Sequence, residues 1–258
     1  VQTLSSDAFE GRAPDSEGEK KTVAFLIEQF KAAGLQPGGD KKDGQRGWTQ
    51  AVPLEKSQIK GPVAASISIN GKPQVLQQGE QIAIRAAMNW QSEIMVKDAP
   101  VVFVGYGVNA PERGWDDFRG VDLKGKIAVV LINDPDFETG QGEFGGKAMT
   151  YYGRWTYKFE EMARRGAAGT LIVHETAPAS YGWPTVKNSN TNVMFDIVRK
   201  DPAKAHAPIE AWIQRDFAVS LFQQAGLDFD ALKRSAQTKD FKPVTLDGVG
   251  FSAAFAVD

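Results

Sequence analysis

The sequence predicts a mixed α/β fold, rich in strands and led by a helix. Three features carry that expectation. Short apolar runs between turn residues fill positions 50–105. A strand–helix–strand pattern spans Lys126–His174. Near the end, Val249, Phe251, Ala253, Phe255 and Val257 keep an apolar residue at every second position, as a strand does.

The first 39 residues hold a turn-rich start and a helix. Ser16 and Glu19 form the Ser-x-x-Glu capping box, which supplies acceptors to free N–H groups at a helix start. Val23, Leu26, Ile27 and Phe30 recur at helical spacing, and Gly34 is a natural stop. Lys41–Gly47 is a polar loop. We therefore divide the chain into a leading segment, 1–50, and a main domain, 51–258. Within the second, Ala65–Ile69 and Gln81–Ile84 read as strands, and Asn70-Gly71 is a hairpin signal. Pro100–Tyr106 and Lys126–Ile132 are buried-strand candidates. Arg154–Arg165 is a helix with Trp155, Phe159 and Met162 on one face, and Gly169–His174 is the next strand, which implies a parallel pair. Residues 176–208 read as loop and strand. Asp216–Ala225 is a helix with Asp216 as N-cap, followed by a shorter one near Phe229–Ala236.

The totals exclude several classes. A formal charge of −2 over 258 residues gives no reason to expect nucleic acid. No apolar run suits a membrane span, and nothing reads as a secretory leader. Cysteine is absent, so thiol catalysis, cysteine–zinc sites and disulfides are excluded.

The catalytic patterns fail one by one. Gly105–Ala110 matches the dinucleotide pattern G-x-G-x-x-A, yet Pro111 and Gly114 follow where a helix is needed, so a turn is the better reading. Gly146-Lys147 lacks the remainder of a phosphate loop. Asp134, Asp136 and Glu138 alternate like calcium ligands, but Thr139 and Gly145 stand where the loop needs Gly and Glu, leaving solvated turn residues. Asp116 and Asp117 point in opposite directions in an extended segment, which suits a turn or cap rather than an acid–base pair. His174 and His206 are unpaired, with no His-x-Asp or H-E-x-x-H motif. No catalytic or metal-binding residue is therefore predicted. One aromatic group stands out: Tyr151, Tyr152, Trp155 and Tyr157 beside Arg154, with Tyr181 and Trp183 in a later loop. Either Trp155 is core and the tyrosines cap it, or these residues form a docking face.

Longer words carry a resemblance. LSSDAFEGRAP with EGEKKTVAFLIEQFKAAGLQPGG is similar to the start of the zinc-dependent aminopeptidases of the glutamate carboxypeptidase II and aminopeptidase Y type, metallopeptidase family M twenty-eight. VFVGYGVNAPERGWDDFRGVDLKGKIAVVLINDPDF and GKAMTYYGRWTYKFEEMARRGAAGTLIVHETAPASYGW resemble the protease-associated domain of bacterial members. The match covers most of residues 4–186. It departs at Asp15, where relatives often carry Gly. The resemblance implies a swivelling β/β/α domain and a parent hydrolase of peptides. It also implies periplasmic or extracellular location and two zinc ions in a catalytic domain whose motifs do not occur here. This chain is then expected to hold no cofactor and to be inactive alone. Its partners would be that domain and the peptide substrate, and its job would be to cover the cleft and shape substrate access. Tyr106 and Trp115 would anchor the connection between two strands by burial. The alternative is a stand-alone peptide- or glycan-binding module.

Overall fold

A computed structural model describes residues 1–258. Contacts within the chain divide it into Val1–Glu55 and Lys56–Asp258.

In the first unit, helix α1 spans Glu17–Ala32. The capping box forms: the Glu19 N–H donates to Ser16 Oγ (3.2 Å), while the Glu19 carboxylate accepts from the Asp15 N–H (2.7 Å). The helix ends as the Gly34 N–H donates to Lys31 O, and Leu35 to Phe30 O, both at 3.0 Å. Its apolar stripe is only partly covered. Val23, Leu26 and Ile27 are half-buried, and Phe30 is 43% exposed.

The second unit is built on one eight-stranded mixed sheet. Its strands are β1 (Ile59–Ile69), β2 (Lys72–Leu76), β3 (Ile82–Ile84), β4 (Glu93–Phe103), β5 (Ile127–Leu131), β6 (Gly169–His174), β7 (Ile209–Gln214) and β8 (Val244–Val257). They lie in the order β2-β1-β8-β4-β5-β6-β7-β3. The strands β4 to β7 run parallel, with Val129 opposite Phe103 and Leu171. The others are antiparallel additions on either side. Asn70 and Gly71 turn the β1–β2 hairpin with φ of 50° and 77°, the left-handed pair that a two-residue turn requires.

Every residue of β5 and β6 is buried, because helices cover both faces. Alternation sends neighbours to opposite sides. Val129, Leu131, Leu171 and Val173 join a core completed by Phe217, Leu221 and Phe222 of α5 (Arg215–Gln224) and Phe229 of α6 (Phe229–Ser235). Ala128, Val130 and Ile172 join Phe159 and Met162 of α2 (Trp155–Arg164) on the other side. The fold is thus mixed α/β.

Three sequence expectations need correction. Residues 176–208 hold the expected strand, Met194–Ile197, but also two helices, α3 (Thr176–Ala179) and α4 (Trp183–Asn190). Pro184 fits the first turn of α4, where its missing N–H costs nothing. Asp216 is not an N-cap. β7 runs straight into α5 with Gln214 as the cap, and Asp216 sits in the first turn, where a carboxylate suits the helix dipole. Asp134 and Asp136 are not solvated. They are 0% and 8% exposed and organise a loop. Asp134 accepts from the Thr150 N–H (2.7 Å), and Asp136 from the Phe144 N–H (2.8 Å).

The stretch after β4 is a turn. Gly107 has φ of 61°, its N–H donates to Val104 O (2.8 Å), and its Cα faces Val130 and Met162. Tyr106 and Trp115 are buried at 2% and 6%. Asp116 accepts from the Phe118 N–H (2.9 Å) as a cap. Asp117 is buried and accepts from the Val108 N–H (2.9 Å) and Trp115 Nε1 (2.7 Å). Burial pushes its carboxyl up to about 7. Lys158 of α2 is buried nearby, donates to Tyr106 O (2.5 Å) and Asn133 O (3.0 Å), and is pushed down to about 8 by desolvation.

Candidate functional site

The predicted aromatic residues divide around the start of α2. Tyr151, Tyr152 and Tyr157 form one packed group. Tyr157 lies 5.3 Å from Tyr151 and 5.1 Å from Tyr152, ring centre to ring centre, edge to face. Tyr152 continues to Phe144 (6.0 Å) and Phe144 to Trp115 (5.1 Å). Burial raises the Tyr157 hydroxyl's pKa, and that hydroxyl accepts from the Asn109 N–H (3.0 Å). Tyr151 is 57% exposed and donates to Glu160 (2.9 Å); Tyr152 donates to Glu112 (2.8 Å). Arg154 is the exposed N-cap residue of α2 and makes no side-chain bond to the cap.

Trp155 belongs elsewhere. At helical pitch a residue two positions from Tyr157 points to another side. Its ring packs on Phe159 (5.9 Å) and lines a cavity of ≈ 360 Å³ together with Tyr181. Trp183 lines a separate crevice, and its Nε1 donates to Gly79 O (3.0 Å). The six predicted aromatic residues therefore form three settings, and Arg154 stands apart from them on the surface.

The crevice that holds Trp183 has ≈ 490 Å³ and lies at the C-terminal ends of β6 and β7, the usual place for ligands in parallel sheets. His174 ends β6 there. Burial lowers its pKa, and Nε2 lies 2.9 Å from Tyr181 O, a contact that needs the proton on Nε2. Apart from Asp216, the charges in this crevice pair with one another. Lys233 reaches both Glu175 and Glu138 at 2.7 Å, and Arg215 reaches Glu175 (3.1 Å) and Asp230 (2.6 Å).

The cavity beside Trp155 differs. It adjoins a smaller one of ≈ 100 Å³, and Arg85, Trp155 and Phe195 line both. The smaller cavity exposes a network that corrects the reading of His206 as unpaired. Its Nδ1 lies 2.9 Å from Glu210 Oε1 and its Nε2 lies 2.7 Å from Asp196 Oδ2. Burial pushes the ring's pKa down, but bonds and charge from Glu210 and Asp196 outweigh it and hold the pKa above its ordinary value. Arg199 in turn binds Asp196 (2.9 Å) and approaches Glu160 (3.6 Å). Sequence reasoning missed Arg85, Asp196 and Glu210. The available signal was a lone arginine inside the apolar run IAIRAAM.

No group of three or more His, Cys, Asp or Glu side chains is placed to hold a metal ion. His206 spends both ring nitrogens on carboxylates and His174 spends Nε2 on a carbonyl, so the histidines present do not fit a zinc site.

No protein-family model matches the chain, and no curated protein matches it. Among solved structures, it is similar to the aminopeptidase from Aneurinibacillus sp. strain AM-1, at 17% identity and a TM-score of 0.37. The alignment covers 99% of this chain and 42% of that one, so the chain spans less than half the length of that protein. A likeness that faint carries no conclusion about this chain's activity.

Proposed function

We propose that the chain is a non-catalytic leading portion of a zinc-dependent aminopeptidase. It covers the cleft of a catalytic domain and shapes the access of peptides. The apolar stripe of α1 supports this reading. Half-buried Leu26 and Ile27 and exposed Phe30 suit a helix that a further body covers. The zinc ions belong to that further domain, and this chain's residues hold none of them. Exposed Tyr151, Arg154 and Trp155, with half-buried Tyr152, are the proposed contact residues, because they flank the start of α2. A periplasmic or extracellular location follows from the same reading.

The test is the reading frame beyond the codon for Asp258. A His-x-Asp pair with later Glu, Asp and His residues is expected there, and the extended protein should release N-terminal residues from peptides only with zinc. A stop codon directly after Asp258 defeats the proposal. The second reading, a stand-alone peptide- or glycan-binding module, is favoured by the ring-walled cavity beside Arg85.

A further inference from the structure

Arg85 follows β3, and its backbone N–H donates to Glu210 O (3.0 Å), which fixes where the side chain starts. Gln78 clamps the end of the same strand, donating to Ile84 O (2.6 Å) and accepting from the Ile84 N–H (2.9 Å). The Arg85 side chain is only 7% exposed. Its guanidinium carbon lies 5.0 Å from the centre of the Trp155 ring and 5.7 Å from that of Phe159. Rings at that range hold a guanidinium in place and leave its edge free.

That edge has no hydrogen-bond partner in the protein. Glu210 forms a buried ion pair with it, Oε2 lying 3.5 Å from Nε, yet neither atom forms a hydrogen bond. Glu210 is already engaged through Oε1 by His206. A buried Nε–H that has found no acceptor is costly, and native structures seldom keep one without a reason. Both cavities open on it.

We propose that the cavity beside Arg85 binds a small monocarboxylate with an aromatic or apolar body. The carboxylate pairs with the Arg85 guanidinium through parallel N–H···O bonds, the geometry that suits this fork. The body lies between Trp155, Trp212, Tyr181 and Phe195, while Thr185 and Ser189 offer hydroxyls at the edge. A volume of ≈ 360 Å³ lies within the range of ligand cavities, which begins at about 300 Å³. A monoanion suits the site better than a phosphate, because Arg85 is the single cation lining the larger cavity, while Arg199 and His206 in the smaller one are already bound to Asp196 and Glu210. An ammonium ligand is repelled by the same guanidinium. The inference holds whether or not an enzyme is attached to the chain.

Titration of the full chain with 3-phenylpropionate, followed by tryptophan fluorescence at neutral pH, tests it. Trp155 and Trp212 line the cavity, so saturable quenching is expected. The neutral isostere, 3-phenylpropanamide, should bind at least ~10-fold more weakly, the weight of about one charge-assisted contact. Arg85→Lys, which keeps the charge and loses the fork, should weaken the acid by ~10-fold and leave the amide unchanged. N-acetylphenylalanine, which lacks an ammonium, should then bind more tightly than free phenylalanine, and the reverse order overturns the proposal. Equal affinity for acid and amide on the native protein overturns the proposal, as does the absence of saturable binding by the acid. The acid–amide comparison needs no variant, so a failure of Arg85→Lys to fold leaves the test intact.

Discussion

His206 joins burial, two carboxylates and a raised pKa in one residue. The groups facing it are Glu210 and Asp196, with Arg199 bound to Asp196 and Arg85 beside Glu210. Its folded pKa is raised above the ordinary 6.5. A raised base favours the fold while protonated, so its contribution is fully present below pH 6.5 and fades as pH climbs through the folded value. We expect the thermal midpoint to fall as pH rises above 6.5, and His206→Gln to flatten that part of the profile. A variant with the same slope as the native chain would refute this. Gly107 makes a second, steric prediction. A Cβ there would sit 2.8 Å from Val130 Cγ2 and 2.9 Å from Met162 Cε, at a φ of 61°. Gly107→Ala should cost about 2 kcal/mol, from strain and overpacking together, read from the shift in urea midpoint at constant slope.

Among the elements, those with a strong local signal were legible in the sequence. β6 occupies Gly169–His174 as its apolar run predicts, since a strand buried on both faces is mostly apolar. The β1–β2 hairpin follows from Asn70-Gly71, and α1 from Ser16 and Glu19. Because Ser16 Oγ supplies the acceptor at the start of α1, Ser16→Ala should lower the local stability of that helix by about 1 kcal/mol. Faster amide exchange confined to its first turn is the readout. The helices α3 and α4 were not legible. α4 buries only Val186 and Asn190, too few for a helical period to stand out. The site was less legible still. Trp155 and Tyr181 were singled out as aromatic residues, but their meeting at one cavity depends on how α2 packs on the sheet. Arg85 and Glu210 are joined by β3 lying beside β7, a pairing between strands far apart in sequence.

For the whole molecule, the two units contribute very unequally to burial. The buried apolar side chains begin at Ala65, and none lies within Val1–Glu55. Residues 56–258 produced alone should therefore melt cooperatively, whereas residues 1–55 alone should show no cooperative transition, because no apolar core would be lost. Circular dichroism melts of the two fragments check this, and a non-cooperative melt of 56–258 would contradict it. The hairpin at one end of the sheet order has a consequence of its own. β2 has β1 as its only neighbour, and it begins with Lys72 and Pro73. Ile69 and Lys72 close the two-residue turn, so Ser68 and Pro73 are the next pair, at which backbone groups face outward. An ordinary residue at 73 would offer an N–H to any passing strand; proline has none. Lysine beside it adds a charge that a stacked copy would have to bury. Proline thus removes one of the outward N–H groups of this edge strand and disfavours the addition of a ninth strand there.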